Sequence, residues 1–66
     1  MPNFVVNHRA QSNGDHEVHK EGCPYFPSLY KTLGWHASCN TAVAEAKRTY
    51  KQSNGCKYCS PACHTS

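Results

Sequence analysis

The fold of this chain depends most on one stretch, Gly55-Cys56-Lys57-Tyr58-Cys59-Ser60-Pro61-Ala62-Cys63-His64, which is rich in potential metal ligands and poor in apolar residues. Within it, Cys56 and Cys59 form a C-x2-C pair, a spacing at which two thiolates can bind one zinc ion. Thioredoxin-like redox sites share the spacing, but there the motif begins a helix. Here it follows a predicted helix, and Pro61 comes soon after. The pattern therefore favours a metal site.

The composition explains why such a site is needed. The chain has 66 residues, of which 38% are hydrophobic, and it carries five Cys and five His. A domain of this size buries only about 60% of its unfolded surface and usually gains stability from a disulfide, a metal or a partner. We therefore expect a single domain, residues 1–66, stabilised through its Cys and His side chains.

A second pair of candidate ligands comes earlier in the chain. His19 and Cys23 form an H-x3-C pair, and Gly22 favours a turn that brings the imidazole and the thiol together. With Cys56 and Cys59 they complete a Cys3His set suited to Zn²⁺. An ion held by these four residues would link the first half of the chain to its C-terminal segment, so that metal binding contributes to folding.

Alternatives to this ligand set remain open. Cys63 or His64 can replace one of the four, because both follow Cys59 at a spacing suited to the same ion. Cys39 is a core residue, a ligand or a disulfide partner, and under oxidising conditions Cys39 and Cys63 would pair the two remaining thiols. We interpret the two earlier histidines, His8 and His16, as ordinary polar strand residues.

The hydrophobic pattern predicts an α+β fold: a small antiparallel sheet, made of a β-hairpin and a short third strand, with one helix and a C-terminal Cys-rich knuckle. Alternation predicts the strands and an Ala-rich period of 3.6 predicts the helix. Ser38 is the expected N-cap of that helix. Gly55 or Asn54 is expected to end it in a left-handed conformation. The predicted segments are strands at 3–9, 16–20 and 31–37 and a helix at 39–51.

The connection after the hairpin is irregular, since it contains a Gly and two Pro within residues 22–27. Its apolar side chains are expected to cover the core; they are Tyr25, Phe26, Leu29 and Tyr30. No apolar run is long enough for a signal peptide or a membrane span, so we expect a monomeric cytoplasmic protein without membrane contact. Disulfides are rare in that compartment, which again favours metal.

The same residues resemble a known family. The motifs Val18-His19-x2-Gly22-Cys23, Leu33-Gly34, a Cys-headed Ala-rich helix, and the segment from Gly55 to Thr65 are similar to those of short uncharacterised bacterial Cys/His-rich proteins. The resemblance covers about residues 13–65. More remotely, the pattern is similar to the metal-binding module of Ada-type DNA repair proteins, although His19 stands where that module has a Cys. The resemblance implies a zinc-binding fold and a role near nucleic acid, but no methyl transfer.

The sequence thus predicts a small zinc-binding module, with nucleic acid as the leading partner class. The chain has a net charge of +3, and Lys47, Arg48, Lys51 and Lys57 lie near aromatic residues that can stack on bases, Trp35, Tyr50 and Tyr58. One alternative is a disulfide-stapled domain that binds a protein. Another is a reactive metal-thiolate protein. The four acidic residues form no paired set, so a binding role is favoured over an enzyme.

Overall fold

The computed structural model describes residues 3–64 as a mixed four-stranded sheet with one helix packed on one face. The strands are β1 (Asn3–Asn7), β2 (His16–Lys20), β3 (Tyr30–Trp35) and β4 (Ser53–Gly55). The helix α1 spans Cys39–Ala46, and a 3-10 turn spans Pro61–Cys63. Within residues 3–64, no helix is both long enough and apolar enough to cross a membrane.

The predicted α+β class is confirmed, but the sheet is not purely antiparallel. Its strand order is β3-β1-β2-β4; β1 is antiparallel to both β2 and β3, whereas β2 and β4 are parallel. Residues 53–55 were predicted to end the helix. They form a buried edge strand instead, because their backbone pairs with residues 16–18 of β2.

The core lies between α1 and one face of the sheet. Strand alternation directs Phe4, Val6 and Val18 towards the helix, where they meet Ala42 and Ala46. All five side chains are buried, and Leu33, Cys39, Val43 and Tyr50 pack around them. Only three of the five are larger than alanine, which confirms that the apolar core is small.

The helix is shorter than the predicted segment 39–51. Its last residue is Ala46, and tighter turns follow, in which Arg48 N–H donates to the Glu45 carbonyl. Ser38 occupies the N-cap position with an extended backbone, but its hydroxyl makes no capping hydrogen bond. Instead, the Thr41 hydroxyl donates to the Ser38 carbonyl, at 3.2 Å. Tyr50 still packs on the core, although it lies beyond the helix.

The expectation that the irregular connection covers the core is wrong. The side chains of Tyr25, Phe26, Leu29 and Tyr30 are 57%, 36%, 52% and 46% exposed. The reason is that α1 already fills the space over one face of the sheet, and the connection runs along the other side. These side chains therefore lie on the surface of the domain.

His8 and His16 differ from simple strand residues. His8 lies beyond the end of β1, and its Nδ1 is 2.9 Å from the Tyr50 hydroxyl. His16 begins β2 and stacks on the Tyr50 ring, with the ring centroids 4.0 Å apart. The two imidazoles thus anchor the segment that leaves the helix and leads into β4.

Candidate metal centre

The structure brings the four sequence-predicted ligands to one point. The ligand atoms of His19, Cys23, Cys56 and Cys59 all lie within 4.8 Å of one another. The Sγ atom of Cys23 is 3.8 Å from Sγ of Cys56 and 3.6 Å from Nδ1 of His19, and Sγ of Cys59 is 4.0 Å from the same nitrogen. This His/Cys group is close enough to hold one metal ion.

The parallel pairing of β2 and β4 explains why these residues meet. Two parallel strands end at the same edge of a sheet, so whatever follows each strand is brought side by side. Gly55, the last residue of β4, pairs with Val18, and the N–H of Cys56 donates to the Val18 carbonyl at 2.9 Å. His19 comes next on β2. The fourth strand, which the sequence did not predict, thereby aligns the two ligand pairs.

Each ligand pair is shaped by a tight turn. After β2, the N–H of Cys23 donates to the Lys20 carbonyl at 3.1 Å, and Gly22 supplies a positive φ of 91°. After β4, the N–H of Ser60 donates to the Cys56 carbonyl at 2.9 Å. The turns direct the side chains at both ends of each motif towards the same point.

Backbone N–H groups surround the sulfur atoms. The N–H of Lys20 donates to Sγ of Cys59 at 3.2 Å. The amides of Tyr58 and Cys59 donate to the Cys56 sulfur, and the amide of Tyr25 donates to the Cys23 sulfur. Such donors stabilise the thiolate form, which is the form that binds metal.

Burial sets the protonation of the site when no metal is bound. It raises the pKa of the Cys23 thiol to about 12 and also raises the pKa of Cys56, although the N–H donors act in the opposite direction. Burial lowers the pKa of His19, while the carboxylate of Glu17 raises it. The buried ligands therefore start neutral, and a metal has to displace the thiol protons.

Glu17 is a neighbour of the cluster that sequence reasoning missed. Its Oε1 atom lies 3.5 Å from Nε2 of His19, the ring nitrogen that faces away from the sulfurs. Histidines that bind a metal usually present the other N–H to a carboxylate, which fixes the tautomer and orients the ring. The signal was present in the sequence, because residues two apart on a strand lie on the same face.

The remaining candidates lie outside this group. Cys39 and Cys63 form a disulfide with a Cα–Cα distance of 6.2 Å, the pairing that the sequence had left open. Nδ1 of His64 lies 3.0 Å from the carbonyl oxygen of Gly55, so His64 stabilises the C-terminal segment, residues 56–64, through a contact with β4. Cys23, Cys56 and Cys59 are free thiols. Five cysteines therefore divide into three in the cluster and two in the disulfide.

Comparison of the chain with protein-family models, curated proteins and solved structures found no match. The resemblance to the bacterial Cys/His-rich proteins and to the Ada-type module therefore stays a prediction. What the fold and the site define is a class: a small α+β domain with a Cys3His cluster and one disulfide.

Proposed function

We propose that this chain is a zinc-binding domain, with His19, Cys23, Cys56 and Cys59 as the ligands. The observation that carries the proposal is the spacing of the donor atoms. A tetrahedral ion with Zn–S bonds of about 2.3 Å and a Zn–N bond of about 2.0 Å separates two sulfurs by about 3.8 Å and a sulfur from a nitrogen by about 3.5 Å. The separations at Cys23 are 3.8 Å to Cys56 and 3.6 Å to His19.

The donor set favours zinc over other metals and a structural role over catalysis. Three thiolates and one imidazole suit a soft or borderline ion such as Zn²⁺, whereas Mg²⁺ and Ca²⁺ prefer oxygen. Four protein ligands close the coordination sphere and leave no position for substrate. Three of the four residues are buried, and only Cys59 is partly exposed. The proposed ion would stabilise the junction of β2 and β4, compensating for the small core.

Intact mass under native conditions tests the proposal. We expect the mass of one zinc ion, less the protons that it displaces, together with the loss of two hydrogens for the Cys39–Cys63 disulfide. Reductant should return the two hydrogens and leave the zinc in place. A chain that carries two disulfides and no metal would refute the zinc site.

A matched pair of variants separates the two kinds of cysteine. Cys59→Ser should lose stoichiometric zinc, because it removes one ligand of four. The double substitution Cys39→Ser with Cys63→Ser should keep one zinc, because neither sulfur belongs to the cluster. Equal zinc contents in the two proteins would count against the assignment.

Nucleic acid remains the partner class that we propose for the domain. In its support, Lys47, Arg48 and Lys51 are exposed. The rings of Tyr25 and Tyr58 lie with their centroids 4.5 Å apart and are both exposed, and Lys57, which precedes Tyr58 in the chain, is exposed as well. Stacking on aromatic rings with nearby cations is how single strands are bound without sequence preference.

A gel-shift titration against salt tests this partner. We expect a single-stranded oligonucleotide to bind at low ionic strength and to dissociate as salt rises. Tyr58→Ala should weaken binding, whereas Glu45→Gln on α1 should not. No binding at low ionic strength would exclude nucleic acid.

The disulfide bears on the other interpretations. A bond between Cys39 and Cys63 is typical of oxidising compartments, so it weighs against the predicted cytoplasmic location and favours a stapled domain outside it. A reactive metal-thiolate role would depend on Cys59, the most accessible of the free thiols. Alkylation rates on the zinc-bound protein distinguish it, since uniformly slow thiols indicate a structural site.

A further inference from the structure

The face of the sheet opposite α1 carries a groove that the zinc site does not use. Its volume is about 320 Å³, and it is open to solvent along one side. Val5 lies at the base of the groove, and its side chain is only 5% exposed. The residues that line it are Asn3, Val5, Glu21, Phe26, Tyr30 and Thr32.

Two aromatic rings form a corner of this groove. The centroids of Phe26 and Tyr30 lie 5.0 Å apart, and the ring planes meet at 73°. In this T-shaped contact the edge of one ring packs against the face of the other, and the ring faces that remain open carry the negative charge density that attracts organic cations. Both rings are exposed, although burial against the core would be expected for side chains of their size.

The groove also carries a negative charge. Glu21 is the one acidic or basic residue among the six that line it. The chain as a whole has a net charge of +3, so the groove is opposite in sign to the net charge of the molecule. A carboxylate beside an aromatic pair attracts a cation and repels phosphate, which makes the groove a poor site for nucleic acid.

The position of the groove indicates how the cation is presented. It lies against β3, the outer strand of the sheet, which pairs only with β1 among the described strands. An extended peptide can lie along such an edge, with its side chains in adjoining pockets. Leu29 and Trp35, at the two ends of β3, are 52% and 50% exposed and offer apolar contacts on either side. A free small cation would use neither.

We propose that this groove binds a lysine or arginine side chain of an extended peptide segment in a partner protein, through Phe26, Tyr30 and Glu21. None of these three side chains belongs to the Cys3His cluster, although Glu21 lies in the turn between His19 and Cys23, so the test is made with the metal-loaded chain. It assigns a second partner class, a basic protein segment, to a face of the sheet that the proposed nucleic-acid surface does not require.

NMR titration of the purified full chain, with its metal and disulfide intact, tests the proposal. The probes are a blocked pentapeptide with arginine at the centre of a valine–threonine sequence, the same peptide with glutamine at the centre, and free tetramethylammonium ion. We expect the arginine peptide to shift the amide signals of Val5, Tyr30 and Thr32 and to bind about fivefold more tightly than the glutamine peptide. Tetramethylammonium should bind more weakly than the arginine peptide.

Variants identify the groups responsible. Glu21→Gln should weaken binding of the arginine peptide about threefold and reduce its advantage over the glutamine peptide. Phe26→Leu, which keeps an apolar side chain but removes the ring, should weaken it about threefold as well. The matched control is Glu45→Gln, which removes an equal charge from α1 and should leave binding unchanged.

Four outcomes would overturn the proposal. They are equal affinities for the arginine and glutamine peptides, shifts that map away from the groove, no binding of any peptide, and displacement of the arginine peptide by a single-stranded oligonucleotide at the same residues. Tighter binding of tetramethylammonium than of the peptide would refute the peptide as the source of the cation.

Discussion

Gly55→Ala is the substitution whose effect can be worked out most directly from the structure. A Cβ atom at this position would lie 2.7 Å from Cβ of Cys63, 2.9 Å from the Cys63 carbonyl carbon and 2.9 Å from the Ser60 carbonyl oxygen. Non-bonded carbons pack at about 3.5–4.0 Å, so the C-terminal turn has to move by about 1 Å. Two of the three atoms are backbone, and a change of rotamer cannot relieve the clash.

That movement is resisted on both sides. The disulfide holds Cys63 against Cys39 of α1, and the N–H of Ser60 is bonded to the Cys56 carbonyl at 2.9 Å. Displacing the turn therefore strains either the packing of α1 on the sheet or the segment that carries Cys56 and Cys59. Overpacking of this kind costs about 2–3 kcal/mol of unfolding free energy. For a domain of this size, such a loss lowers the Tm by about 10–20 °C.

Thermal unfolding with saturating zinc, followed by circular dichroism, measures the effect, and Gly34→Ala is the control. Gly34 has a positive φ of 84° but no atom within 4 Å of its would-be Cβ, so its substitution costs only backbone strain of about 1 kcal/mol. We expect Gly55→Ala to melt below Gly34→Ala and to bind zinc more weakly. If Gly55→Ala melts no lower than the control, the close approach of the C-terminal turn to β4 is wrong.

Three further predictions concern the candidate metal centre. With saturating zinc, Cys59→Ser should melt well below the unsubstituted chain, because it removes one ligand of four from an ion that supplements a core worth only about 3–5 kcal/mol; equal melting temperatures would contradict the stabilising role of the metal. Glu17→Gln should weaken zinc binding about tenfold in competition with a chromophoric chelator, whereas Glu45→Gln should not. Metal-free protein should depend on pH in both directions, as urea midpoints at pH 5, 7 and 10 would show. The lowered pKa of His19 stabilises the fold above its ordinary value of 6.5, and this stability is lost as the pH falls. The raised pKa of Cys23 stabilises it below 9.0, and this stability is lost as the pH rises towards about 12. A flat profile would show that these groups titrate alike in the folded and unfolded chain.

The sequence predicted the elements whose signals are local. Strand β2 is observed at the predicted residues 16–20, because alternation around Val18 marks a half-buried strand. The grouping of His19 and Cys23 with Cys56 and Cys59 was predictable from two short spacings that each suit one ion. The class of fold followed from the same patterns.

The parts that sequence reasoning missed depend on contacts between distant segments. Ser53-Asn54-Gly55 has no apolar residue and reads as a turn, and it is a strand only because β2 offers an unpaired edge. The same holds for Gly55, which was expected to adopt a left-handed conformation. It has no positive φ, and its lack of a side chain serves the close approach of Cys63 instead. Neither the strand pairing of residues 53–55 nor the close approach of Cys63 to Gly55 can be predicted from the local sequence.

The parallel pairing of β2 with β4 has a consequence for how the protein is made. During synthesis, His19 and Cys23 leave the ribosome 40 and 36 residues before Cys59, so the nascent chain offers only half of the candidate metal site for most of that time. Cys39 also emerges before its partner Cys63, and it is then exposed together with Cys23. An oxidant acting at that stage would form a non-native disulfide between Cys23 and Cys39. On the proposed zinc assignment, correct maturation requires that zinc be captured when Cys59 appears, before Cys39 and Cys63 are oxidised.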